Sequence, residues 1–269
     1  MIEIFTIPFM QKAFIISILT GGLLSFLGVY VVGRRIVFVG WTLSQISACG
    51  FALGLFSGLS PGICSLILTL AGIGLFSLHA KERRIPSEAV IGIAYAFSAA
   101  LTILFIAKSA GGESHMLDIL SGNILTVTNM QICMTAVICV ITALIHYVFY
   151  EKFMFVSFDY ETARTGGLKA GWWNFLFFLT LGTAVSMAMK TAGILLTFGY
   201  LVMPASFSLL VTGKMTRIFL CSIGFGLVAT LLGLFLSFRM DIPSGPSIVT
   251  IMCIFCGFIL GYKKFYDNF

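Results

Sequence analysis

Apolar residues in this chain gather in long, nearly unbroken stretches, and polar residues fill the short gaps between them. A helix needs about 20 such residues to cross the hydrocarbon core of a bilayer. Stretches of that kind lie at roughly 13–32, 36–57, 61–78, 89–108, 130–150, 173–190, 192–212, 218–238 and 246–262, which predicts about nine spanning helices. One gap differs from the rest. Ser157–Gly171 is polar and long enough for a helix of its own. Ser157 or Asp159 suits its N-cap, Asp159 and Glu161 suit its positive dipole end, and Gly166 and Gly167 stop it after about two turns. Lying along the membrane with Phe158 and Tyr160 exposed, it would form a surface for another protein; a plain surface loop is the alternative.

Hydrophobic residues make up 59% of the chain, charged residues 10%, and the mean hydropathy is +1.08. A soluble domain of this size cannot hide so much apolar surface, whereas lipid solvates it. With no low-complexity linker, residues 1–269 read as a single transmembrane domain. The first residues lack the basic region, short apolar stretch and small-residue site of a removable signal peptide. The net charge of +6 is a topology signal rather than a sign of nucleic-acid binding. If the loop after the first span is inside, twelve of the sixteen Lys and Arg fall inside, and Lys12, Lys108, Lys190 and Arg239 fall outside. The positive-inside rule then puts the N-terminus outside and the C-terminus inside.

All seven cysteines fall in predicted spans, and their odd number argues against a disulfide framework. Cys253-x-x-Cys256, inside an apolar helix, reads as packing. Small residues spaced for close helix approach occur at Gly21, Ser25 and Gly28 and at Gly50, Gly54 and Gly58. Pro204 frees the Tyr200 carbonyl from its helical bond, and a helix broken there would line a cavity or pack on protein. Pro243 and Gly245 suit a tight turn. His146 reads as hydrogen-bonded within the bundle, and Lys190 as snorkelling to the outer interface. Glu113, His115 and Asp118 are weak candidates for a metal site at the outer mouth; a docking surface or a solvated loop are the competing readings. Met187 and Met189 with Cys49 offer a soft-metal path as a minor alternative.

A set of motifs then runs nearly end to end. It comprises Pro8-Phe9-Met10, Arg34-Arg35-Ile36-Val37-Phe38-Val39-Gly40, Leu43-Ser44, Gly50-x-Ala52-Leu53, Glu88-x-x-Ile91-Gly92-Ile93 and Leu120-Ser121-Gly122-Asn123-Ile124-Leu125. It continues through Phe158-Asp159-x-Glu161-x-Ala163-x-x-Gly166, Gly193-Ile194-Leu195-Leu196 with Met203-Pro204-Ala205, and Asp241-x-Pro243-x-Gly245-x-x-Ile248-Val249. In this order the chain resembles the integral-membrane permeases of zinc- and manganese-type ABC importers. The resemblance implies an all-α polytopic bundle of type II importer architecture in the cytoplasmic (inner) membrane of a bacterium. It implies a homodimer, two copies of a cytoplasmic ATPase that binds the ATP, and an extracytoplasmic metal-binding lipoprotein. It also implies that the polar segment is the coupling helix to the ATPase, through Phe158, Asp159, Glu161, Ala163 and Gly166. No Gly-x-x-x-x-Gly-Lys-Ser/Thr phosphate loop is present anywhere in the sequence. The chain is therefore read as a transport subunit with no bound cofactor, not as an enzyme.

One motif departs from the family. Its second span usually reads Gly-Asp-x-Leu-Ser-His, with acid and imidazole one helical turn apart on a single face. This chain has Gly40-Trp41-Thr42-Leu43-Ser44-Gln45, and Cys49 at a position often occupied by proline. Trp41, Thr42, Ser44, Gln45 and Cys49 are the candidate pathway and gate residues, with only neutral oxygens among them. A divalent ion shedding water needs replacement oxygens or nitrogens, preferably charged. The expected substrate is a divalent transition metal, zinc or manganese. The alternatives are a chelated metal or small solute moved by the same architecture, or a secondary transporter driven by an ion gradient; the scarcity of intramembrane acids counts against the last.

Overall fold

The computed structural model describes residues 8–79, 86–109 and 127–266, and all of its regular structure is helical. α1 (Pro8–Gly33) and α3 (Pro61–His79) both open on proline, whose missing N–H costs nothing in a first turn. α2 (Val37–Ser57) ends at Gly58, with φ +71°. α4 (Ser87–Lys108) follows Pro86 and carries Glu88 in its first turn. α5 (Asn129–Val148) starts on a reciprocal cap in which Thr128 N donates to Gln131 Oε1 and Gln131 N donates to Thr128 Oγ1. Two short helices follow, α6 (Tyr150–Phe158) and α7 (Tyr160–Thr165). α8 (Ala170–Val211), α9 (Met215–Met240) and α10 (Ser244–Tyr266) complete the chain.

α8 is 42 residues long, about 60 Å if straight and twice the bilayer core. It is not straight. Gly193 sits at φ 75°, ψ 174°, a conformation open essentially to glycine alone. Contacts fix what happens there. α2 and α3 are antiparallel, since Gly50 approaches Ser65, Gly54 approaches Pro61 and Gly72 approaches Ile46. The first half of α8 runs against α3: Gly182 meets Ile73, Ser186 meets Ser65, and Lys190 meets Gly62. The second half runs against α2, with Ile194 beside Ala48 and Ala52, Phe198 on Trp41, and Leu201 on Gly40. The two halves are therefore antiparallel, and α8 is two spans folded back at Gly193. Together with α1–α5, α9 and α10 they make nine among the described residues. The reversal falls at the boundary expected between spans 173–190 and 192–212, whereas the further break expected at Pro204 is absent, since Pro204 sits inside a continuous helix.

α1 is the central helix of the bundle, packed against α8 and α9 and, less extensively, α5. Its small residues are the reason. Gly28 lies under the Leu201 carbonyl, Gly21 faces the Tyr200 ring, and Ser222 Oγ donates to the Ser25 carbonyl at 2.8 Å. In lipid, where apolar side chains gain nothing by leaving their solvent, close backbone approach of this kind is what holds helices together. Gly50 and Gly54 do the same for α2 on α3, but Gly58 meets nothing and serves only as the left-handed end of α2. α4 packs chiefly on α2.

Candidate transport pathway and coupling surface

Trp41, Thr42 and Gln45 lie where α2 faces α4 and the second half of α8. The Trp41 ring stands edge-on to Phe198 at 4.6 Å between centroids and lies tilted against Tyr95 at 6.1 Å. Gln45 Nε2 donates to Thr102 Oγ1 at 3.3 Å, and Thr42 Oγ1 reaches the Ile91 carbonyl at 3.5 Å. Both bonds tie α2 to α4. Thr42 and Gln45 are buried, as are Cys49 and Ser44, but Ser44 spends its hydroxyl on the Gly40 carbonyl of its own helix. Beside Trp41, a pocket of about 380 Å³ is lined by Phe38, Thr42, Glu88, Gly92 and Tyr95. Glu88 is thus the one carboxylate near these residues among those described. The described residues contain no cluster of three or more His, Cys, Asp or Glu suited to hold a metal ion. Glu113, His115 and Asp118 lie outside the described residues.

A second polar line escaped sequence reasoning. Ser47 Oγ lies 2.8 Å from Ser65 Oγ, which lies 3.1 Å from Ser186 Oγ, so three hydroxyls link α2, α3 and the first half of α8. Small polar residues inside apolar spans are the available signal, yet serines are too common in such helices to pick out these three. Lys190 Nζ donates to the Gly62 carbonyl at 3.2 Å, near the turn between α2 and α3. His146 is hydrogen-bonded to Thr180 at 3.1 Å and stacked on Phe153 at 4.2 Å, within the bundle as expected. Cys253 and Cys256 are unpaired thiols against Met203.

The polar segment divides differently from the expectation. Ser157 and Phe158 close α6, an amphipathic helix that buries Phe153 and Val156. Asp159 caps α7, its Oδ1 accepting from Thr162 N at 3.1 Å, and Gly167 at φ +81° lies just past its end. Phe158 is exposed over much of its surface, while its ring edge rests on Gly33. Ala163 faces inward. It is 2% exposed and packs with Val156 and Ala170, so it belongs to the core beneath α7 rather than to its outer face. The Glu161 side chain lies outside what the structure describes, whereas Gly166 is exposed.

Arg34 connects this segment to α2. Its Nε donates to Ser157 Oγ at 2.9 Å, its Nη1 donates to Asn174 Oδ1 at 2.7 Å, and its guanidinium lies 3.9 Å from the Phe177 ring centroid. Burial opposes its charge and lowers its pKa to about 9, which leaves it protonated at neutral pH. Arg34 and Arg35 form the corner between α1 and α2. Ile36 N donates to the Val31 carbonyl and Arg35 N to the Val32 carbonyl, with Arg35 at φ +59°. That pattern is a Schellman motif with arginine where glycine is usual.

Nine spans among the described residues, a neutral polar face on the second helix and a short capped helix on one side define a multi-pass membrane permease. The family model described as the ABC 3 transport family matches residues 6–262, and the chain belongs to that family. It is a transport subunit, with ATP hydrolysis left to a separate subunit. Among curated relatives, the manganese transport system membrane protein MntC of Listeria innocua is 28% identical over 261 residues, covering 95% of this chain and 92% of the relative. The manganese import system permease protein ScaB of Streptococcus gordonii is 26% identical, covering 90% and 86%. Among solved structures, PsaBC from Streptococcus pneumoniae in complex with Fab superposes with a TM-score of 0.85 at 25% identity, covering 96% of this chain and 93% of that one.

Proposed function

We propose that this chain is the permease of an importer that moves a divalent transition metal ion, manganese first and zinc second, through a path along α2. The observation that carries the reading is the placement of Trp41, Thr42 and Gln45 on the seam between α2, α4 and the second half of α8, beside the helix reversal at Gly193. Manganese comes first because relatives covering nearly the whole chain bear that ion in their names. Residues 1–269 act as one transmembrane domain. Two copies pair around the path in the bacterial inner membrane, N-terminus outside and C-terminus inside. Two ATPase subunits bind ATP and grip the α6–α7 segment through Phe158, Asp159, Glu161 and Gly166, with Ala163 supporting that surface from beneath. An extracytoplasmic lipoprotein delivers the ion. ATP-driven closure of the ATPases moves the coupling segment and opens or closes the path, where Trp41, Gln45, Thr42, Ser44 and Cys49 form the gate.

The neutral lining favours one second reading, in which the metal crosses still carrying ligands of its own. The α2 side chains bonded to α4 carry an amide, a hydroxyl and the Cys49 thiol, with no carboxylate or imidazole among them. Uptake by the permease–ATPase complex in proteoliposomes separates the two. ATP-dependent accumulation of free manganese supports the first; accumulation only when a chelator accompanies the metal supports the second; none of either sinks both.

A further inference from the structure

We infer that Arg34 is the positioning residue that carries motion from the coupling segment to the pathway helix. This rests on the reading of α6–α7 as the ATPase-facing segment. Arg34 belongs to the α1–α2 corner, three residues before α2 begins and seven before Trp41. Its two bonded partners are 123 and 140 residues away in sequence. Ser157 is the penultimate residue of α6, next to the Asp159 cap of α7, and Asn174 is in the first turns of α8. One planar side chain thus joins the coupling segment, the entry to α8 and the entry to α2.

Three features make the joint mechanical as well as adhesive. Guanidinium bonds to two separate acceptors fix direction as well as distance, which a lysine ammonium cannot reproduce. The Schellman corner fixes Arg34 relative to the start of α2, and Phe158 seals the other side by resting on Gly33. Beyond the joint, α4 leans chiefly on α2 and is bonded to it through Gln45–Thr102 and Thr42–Ile91. A displacement of α2 therefore takes α4 with it and alters the seam between Trp41 and Phe198 of α8. A cavity of about 270 Å³ next to the joint is lined by Arg34, Val39, Ile91, Ser157, Asn174 and Phe178. It gives α2 and α4 room to move against α6 and α8. The remaining nitrogen, Nη2, is buried with no protein partner among the described residues, so the guanidinium holds its two N–H groups in reserve for a second arrangement.

The test uses the reconstituted permease–ATPase complex and reads manganese transported per ATP hydrolysed. Arg34→Ala should co-purify with the ATPase and hydrolyse ATP at close to the normal rate, while transport per ATP falls about tenfold, as for loss of a charge-assisted bond pair. Arg34→Lys keeps the charge and should still fall well short of the native ratio. Ser157→Ala should add nothing in the Arg34→Ala background, because the contact is already gone. A merely structural arginine would instead lower thermal stability, hydrolysis and transport together, and that result overturns the inference. So does a native ratio in Arg34→Ala. Failure of the unmodified chain to stimulate its ATPase would remove the coupling reading itself, and the inference with it.

Discussion

The Tyr200 hydroxyl donates to Thr230 Oγ1 at 2.6 Å, and Thr230 in turn donates to the Gly226 carbonyl at 2.6 Å. Gly21 of α1 makes room for the pair, because a Cβ there would lie 3.0 Å from two carbons of the Tyr200 ring. The hydrogen bond and the packing can be separated. Tyr200→Phe leaves Thr230 its own acceptor and should cost about 0.5–1 kcal/mol, as interhelical bonds in bilayers do. Gly21→Val should cost more, about 2–3 kcal/mol, by overpacking a site with no slack. Thermal unfolding of the solubilised permease compares them, and equal losses would contradict this division.

Gly28 and Gly22 make a sharper pair. An added Cβ at Gly28 would run into the backbone carbonyl of Leu201, which cannot rotate away; at Gly22 its nearest neighbour is the Leu227 side chain at 3.9 Å. Gly28→Ala should reduce the yield of folded protein severely, and Gly22→Ala should leave it unchanged. Expression followed by size-exclusion chromatography measures both. A well-folded Gly28→Ala would mean that α1 and α8 are further apart than described.

At Gly193 the backbone itself sets the requirement. Gly193→Ala forces an alanine into a glycine-only region at a cost of about 1–3 kcal/mol. Met203→Leu, a swap of similar volume elsewhere in the same helix, should cost under about 1.5 kcal/mol. A Tm for Gly193→Ala equal to the native value would exclude a sharp reversal at this residue.

In the coupling segment, substitutions on the two sides of α7 should behave differently. Thr162 is exposed, so Thr162→Arg should weaken co-purification with the ATPase while the permease stays folded. Ala163→Arg would force a charged chain into the Val156–Ala170 cluster and should lower the melting temperature too. If Thr162→Arg co-purifies normally, the ATPase grips some other surface.

The neutral face of α2 invites reconstruction. Trp41→Asp together with Gln45→His would place an acid and an imidazole one turn apart, the arrangement this chain lacks. Calorimetry should then detect divalent metal binding by the permease that the native chain lacks under the same conditions. Unchanged binding would mean that these two positions do not face the path.

Nine spans were readable because a bilayer demands a fixed length of apolar helix, whatever the neighbours are. The helix reversal was legible only as a gap near residue 191. The turn itself needs the positive φ of Gly193, which no apolar pattern encodes, and Pro204, the visible helix breaker, lies inside the helix that follows. α6 was overlooked because Tyr150–Phe158 is amphipathic and short, and it follows α5 with no polar gap. Arg34 read as one of many inside-facing charges. Its partners Ser157 and Asn174 are remote in sequence, so neither carries a mark connecting it to Arg34. Ala163 looked like an exposed contact since the segment is polar overall; burial there depends on Val156 and Ala170, which flank it from two other helices.

The central position of α1 also has a consequence for how the protein is made. α1 barely touches α2, the next helix to emerge, and its main partners belong to α8 and α9. Gly28 meets Leu201, 173 residues later in the chain. At about 5–20 residues per second of synthesis, α1 waits roughly ten to thirty seconds in the membrane before its partner exists. During that wait its groove of glycines and serines faces lipid or whatever insertion machinery shelters it. α1 thus enters the bilayer well before the helices that hold it in place.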